Sequence, residues 1–181
     1  SVIPTGPLML NSIASHKNIG KYNLQRLKSV LSGGAALPPN VAKSFRAATG
    51  RTIYQGYGST ETSPLSASTP PPPGMDNPAT VGIPCPQTDI RITDPENPDR
   101  VLPYGEKGEI TVRGPQVMRG YWNNPDETRK VLSKFGRYRT GDIGFLDENG
   151  YLHITGREKR MMSINGFKVS PEMIEKGICE H

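Results

Sequence analysis

Residues 54–63 read YQGYGSTETS: a tyrosine, Tyr57, between Gly56 and Gly58, then the hydroxyls of Ser59 and Thr60 and the carboxylate of Glu61. A tight turn calls for glycine, whose missing β-carbon opens backbone angles closed to other residues. It does not call for an aromatic between two glycines, or for an acid straight after adjacent hydroxyls. Two further stretches carry chemistry. YRTGD (138–142) ends in Asp142, and GREKR (156–160) holds Arg157, Lys159 and Arg160 against the single acid Glu158. Hydroxyls and carboxylates suit hydrogen bonding and hard cations, and a basic segment suits an anion. Each stretch alone also fits a plainer role: a solvated loop, a β-turn, a basic surface.

Strands and helices around these residues follow from the hydrophobic pattern. Residues 27–31 (LKSVL) form an apolar run stopped by Ser32-Gly33-Gly34, which predicts a buried strand. Pro38-Pro39 opens a helix with Val41, Phe45 and Ala48 on one face and Gly50 at its end. Residues 52–55 are the next strand. The result is a β-α-β unit with parallel strands, and both SGGAA and QGYGSTE follow the carboxyl ends of its strands, the edge where open α/β sheets bind ligands.

A proline run at residues 69–74 marks a connector. Beyond it, residues 89–93, 109–113 and 151–155 are short alternating strands, an all-β subdomain expected to be a distorted barrel. One helix interrupts them, with Asn124 as cap, Pro125 at its first position and Asp126-Glu127 in its first turn. After Gly156 come a strand at 161–164, a turn at Asn165-Gly166, and a helix starting at Ser170-Pro171-Glu172 with Ile174 and Ile178 on one face. A strand pair and one helix cannot bury a core, so this end reads as a domain cut short.

The 181 residues include 18 prolines and 20 glycines, with 34% hydrophobic residues, which predicts much loop and edge. No run approaches the twenty apolar residues of a membrane span, and SVIPTGPLML lacks a basic leader. Cys85 and Cys179 have no metal-like spacing, which fits a reducing compartment, and neither is given a role. The net charge of +5 allows nucleic acid, an anionic surface or a small polyanion as partner. Nucleic acid is disfavoured, because aromatic and basic residues do not interleave.

YGSTE (57–61), YRTGD (138–142) and GREKRMMSINGFKVSPEMIE (156–175), in this order and spacing, resemble the adenylate-forming (AMP-binding) superfamily. SGGAALP (32–38) and GEITVRGPQVMRGYWNNPDET (108–128) add to the resemblance, and QGYGSTETSP with INGFKVSP is most similar to fatty acyl- or aryl-CoA ligases. The resemblance implies an α/β plus β-barrel fold: the C-terminal part of a ligase's large domain with the start of its small α+β domain. Residues 1–73 would be the α/β portion, 74–156 the barrel-like subdomain, and 157–181 the hinge and truncated small domain. The family's phosphate loop and small-domain lysine have no counterpart here, so an internal fragment, inactive by itself, is expected.

The resemblance also implies the chemistry. A carboxylic acid, expected to be a fatty acid, is activated by ATP and Mg²⁺ as an acyl-adenylate and passed to CoA. Loading of a carrier-protein thiol, or a non-catalytic nucleotide-binding module, are the alternatives. Gly34, Ala35 and Ala36 would wall the adenine slot, although the family often has proline where Ala36 stands. Gln55, Gly56, Tyr57 and Gly58 would line the nucleotide, with the Tyr57 ring along the adenine. Thr60 would bond the α-phosphate and Glu61 hold Mg²⁺. Asp142 would accept from both ribose hydroxyls, with Arg157 reaching the ribose and Ile154 packing nearby. Lys159 would be the hinge, and Gly166 and Lys168 would face CoA. Some relatives carry lysine where Ser163 stands, so Ser163 receives no role. Gln55, Gly56, Ser63, Pro64 and Leu65 would contribute to the acyl pocket. The cytoplasm is the expected setting, with peripheral membrane association or an organelle as alternatives, and a homo-oligomer is one possible assembly.

Overall fold

The computed structural model describes residues 1–70, 79–160, 162–164, 167–171, 174, 177 and 178. The chain forms two units, Ser1–Cys85 and Pro86–His181.

In the first unit, β1 (Val2–Thr5), β2 (Ser29–Ser32) and β3 (Ile53–Tyr57) are parallel neighbours in one sheet. The predicted β-α-β arrangement is therefore present. Between β1 and β2 lies α1 (Pro7–Ala14), and between β2 and β3 lies α2 (Pro39–Thr49). Pro39 starts α2 where a missing N–H costs nothing, and Gly50 ends it in the left-handed region at φ 65°. Val41 and Phe45, one turn apart, bury against Leu10, Leu27, Val30 and Leu37, the core of this unit. The sheet is then extended antiparallel by β4 (Ala67–Ser68) and β5 (Ile83–Pro84). The chain following the proline run thus returns to the first sheet before leaving it.

The second unit is a meander of β6 (Asp89–Thr93), β7 (Gly108–Arg113), β8 (Tyr138–Leu146) and β9 (Leu152–Arg157), all antiparallel. Facing pairs Ile90–Val112 and Ile92–Ile110 bury together, with Tyr138 opposite Val112. The expected barrel is corrected: among the described residues β6 and β9 are the two edges of an open sheet and do not pair. Closure requires a hydrogen-bonded seam between first and last strands, and four strands leave too narrow a ring to be filled by side chains. Between β7 and β8, α3 (Pro125–Val131) begins as predicted, the Asn124 side chain accepting the Glu127 N–H at 3.2 Å. A short antiparallel pair follows, β10 (Met162–Ile164) with β11 (Phe167–Val169). Most of the helix predicted after Ser170 lies outside the described residues.

Candidate active site

The first unit carries its candidate residues at the carboxyl ends of β2 and β3. Gly34, Ala35 and Ala36 form the exposed link from β2 to α2. Gln55 is buried in β3; its amide Nε2 donates to Thr80 O at 2.9 Å, and its backbone N–H donates to Thr69 Oγ1 at 3.1 Å. It stitches strand to loop within this unit. Tyr57, the last residue of β3, is only 8% exposed.

The glycines of this loop answer to its own packing. A β-carbon on Gly58 would lie 1.9 Å from the Pro64 carbonyl oxygen, and one on Gly56 would lie 2.7 Å from Leu65 Cδ1. The missing side chains make room for the chain's own return through Ser63, Pro64 and Leu65. That return is turned by a 3₁₀ helix, Thr60–Thr62, and by Ser63 in the left-handed region at φ 48°. Thr62 Oγ1 accepts the Ser59 N–H at 2.9 Å and donates to Ser59 O at 3.1 Å, tying the turn to itself. Thr60 is left exposed and Glu61 half-buried on this hydrogen-bonded turn.

Their chemistry fits magnesium. Among the described residues no three His, Cys, Asp or Glu side chains cluster as a protein-built metal cage. Magnesium needs no such cage, since it is commonly held by one or two carboxylates together with phosphate oxygens and water.

The second unit joins two candidate residues directly. Asp142 on β8 and Arg157 on β9 are register partners, and Arg157 Nε donates to Asp142 Oδ1 at 2.7 Å. Asp142 is 9% exposed as a residue, whereas the Arg157 side chain is 58% exposed. Ile154, opposite Gly144, is 38% exposed. Lys159 lies exposed in the 3₁₀ turn Glu158–Arg160 directly after β9. Lys168 pairs with Ser163 across the β10–β11 ladder, and Gly166 lies outside the described residues.

One acid with no sequence-assigned role lies close to this pair. Glu109 on β7 is 2% exposed, and its Oε2 accepts from Arg139 Nε at 2.7 Å and lies 2.6 Å from Arg139 Nη2. Its Oε1 accepts the Gly141 N–H at 3.1 Å. Nothing in the local sequence marks it, since EITVR carries charge at both ends and Glu109 gains its partners only from residues 139–141.

The AMP-binding enzyme family model matches residues 1–122. The chain is 39% identical over its whole length to the long-chain-fatty-acid–CoA ligase of Bacillus subtilis (strain 168), covering 32% of that protein. It is also 39% identical to the probable 4-coumarate–CoA ligase 2 of Dictyostelium discoideum, over 90% of this chain and 29% of that protein. The crystal structure of ATP-bound MatB from Rhodopseudomonas palustris superposes with a TM-score of 0.91 at 34% identity, over 100% of this chain and 35% of that one. The chain therefore spans about a third of the length of these proteins. With most of its residues matched by the family model, and the structural likeness extending over its full length, the chain belongs to the AMP-binding enzyme family.

Proposed function

We propose that the chain is a segment of an ATP-dependent, AMP-forming acid–thiol ligase that joins a fatty acid to CoA through an acyl-adenylate. The observation that carries this reading is similarity over the whole of this chain, at 39% identity, to 32% of the length of a protein named long-chain-fatty-acid–CoA ligase. In the first half-reaction a carboxylate oxygen attacks the α-phosphorus of ATP and pyrophosphate leaves. In the second, the CoA thiol attacks the acyl carbon and AMP leaves. Both steps depend on positioning and charge neutralisation more than on covalent help from the protein.

In this reading the exposed Thr60 hydroxyl donates to the α-phosphate and Glu61 holds Mg²⁺, with Tyr57 and the 34–36 link against the adenine. Magnesium, when bound, neutralises phosphate charge. Asp142 accepts the ribose hydroxyls, and Ile154 offers an apolar surface beside them. Arg157 has the geometry to fix the Asp142 carboxylate through Nε, which refines its role from ribose contact to ribose contact plus orientation. Lys159, exposed directly after β9, is the hinge at which a small domain begins, and Gly166 and Lys168 belong to the CoA side. No described helix is long and apolar enough to cross a membrane; the cytoplasm is the proposed location.

The test is a panel of carboxylic acids assayed on the full-length protein with ATP and CoA. Long-chain fatty acids should give AMP, pyrophosphate and acyl-CoA. Adenylate formation without CoA acceptance would favour transfer to a carrier-protein thiol, and absence of any acid-dependent ATP cleavage would leave only a nucleotide-binding module.

A further inference from the structure

We infer that Glu109, together with Thr140, is the positioning device that sets the Asp142 carboxylate for the nucleotide sugar. This rests on the reading of Asp142 as the acceptor of ribose hydroxyls.

The strand that delivers Asp142 is irregular where it matters. Thr111 faces Arg139 and Glu109 faces Ile143, so residues 140–142 of β8 span the distance that Ile110 alone spans on β7. Such a bulge breaks the ladder and re-aims the side chains it carries. Gly141 takes φ +71°, a conformation that a side chain would resist. Left to itself, a segment with extra residues and a glycine would sample many orientations of the side chain that follows.

Two consecutive residues of β7 remove that freedom. The Glu109 carboxylate takes the Gly141 N–H on one oxygen and the Arg139 guanidinium on the other. Ile110 O accepts from Thr140 Oγ1 at 2.7 Å, and the same Oγ1 accepts the Asp142 N–H at 3.0 Å. The N–H groups of Gly141 and Asp142 are thus both held, the first directly by Glu109 on β7 and the second by Thr140, whose hydroxyl is itself anchored to Ile110 O on the same neighbouring strand. A carboxylate buried to 2% exposure is costly unless its oxygens find donors. The protein donors described for Glu109 all come from the 139–141 segment. An apolar residue would fill the space without holding the Gly141 N–H. The same bulge therefore needs an acid beneath it to present a second acid in a fixed pose.

The experiment uses the full-length protein and compares ATP with 2′-deoxy-ATP in Glu109→Gln, Thr140→Val and Asp142→Ala. Wild type should prefer ATP, and Asp142→Ala should abolish the preference. Glu109→Gln should lose most of it, with KM for ATP rising about tenfold, the worth of one hydrogen bond to a charged group. KM for the fatty acid should stay within about twofold, a split that general loosening of the fold would not produce. Thr140→Val, which keeps shape and removes only the hydroxyl, should move the preference in the same direction, and it carries the test if Glu109→Gln does not fold. A folded Glu109→Gln, or in its absence Thr140→Val, with wild-type preference for the ribose hydroxyl would overturn the positioning role. Wild type indifferent to that hydroxyl, or Asp142→Ala retaining the preference, would instead overturn the ribose reading itself.

Discussion

Asp142 and Arg157 face each other across β8 and β9, joined by a 2.7 Å hydrogen bond from Arg157 Nε to Asp142 Oδ1, with the carboxylate buried and the guanidinium stem largely in solvent. With the guanidinium in water the pair's Coulombic gain is screened toward the about 0–1 kcal/mol of a surface ion pair. The buried carboxylate still needs a hydrogen-bond donor, which a glutamine in place of the arginine can supply. The pair's spatial fixity has to be explained by what it presents to a ligand.

Arg157→Gln should therefore leave the denaturant midpoint nearly unchanged while raising KM for ATP severalfold. Urea unfolding beside steady-state kinetics at varied ATP checks this. A large loss of stability with unchanged KM would make the pair structural.

Glu61→Gln keeps the size of the side chain and removes its charge. Adenylation, followed by pyrophosphate exchange, should fall by about a hundredfold, the scale of losing one preorganised electrostatic contact. The magnesium concentration for half-maximal exchange should rise. Unchanged magnesium dependence would assign the metal elsewhere.

Gly58→Ala and Gly56→Ala should differ in severity. The first places a methyl against the fixed backbone of Pro64, whereas the second meets the movable end of Leu65. Overpacking typically costs about 1–3 kcal/mol, and Gly58→Ala should lie at or beyond the upper end. Chemical denaturation of the two variants ranks them; equal midpoints would contradict the backbone origin of this glycine.

Asp89 on β6 bonds to both Arg91 and Arg137. Burial pushes its carboxyl up, but hydrogen bonds and charge from the two arginines outweigh this and hold it below its ordinary value of 3.8. A depressed carboxyl stabilises the fold above its unfolded value and loses that contribution as pH falls through the folded one. Asp89→Asn should thus flatten the decline of stability below about pH 4, with less change near neutrality in its slope. Unfolding midpoints measured from pH 5 to 2 give the comparison.

Much of this architecture was legible locally. The strand into YQGYGSTE, the helix opened by Pro39 and the Asn124 cap are signals carried within a few residues, and each is present. The first strand and helix were not foreseen. Pro4 and the four-residue length obscure β1, and α1 has neither an acid in its first turn nor a base in its last. β8 was hidden by its own bulge, since the extra residues around Gly141 destroy the period-two pattern by which strands are recognised. The barrel expectation failed because strand closure is a non-local fact. Glu109 was invisible as a site residue for the same reason: its meaning depends on Arg139, 30 residues away.

Attack of the carboxylic acid on the α-phosphorus of ATP leaves an isotopic signature, read by following ¹⁸O from a doubly labelled fatty acid in the full-length protein. One labelled oxygen should appear in the phosphate of AMP. Label in inorganic phosphate or pyrophosphate, with AMP unlabelled, would contradict it.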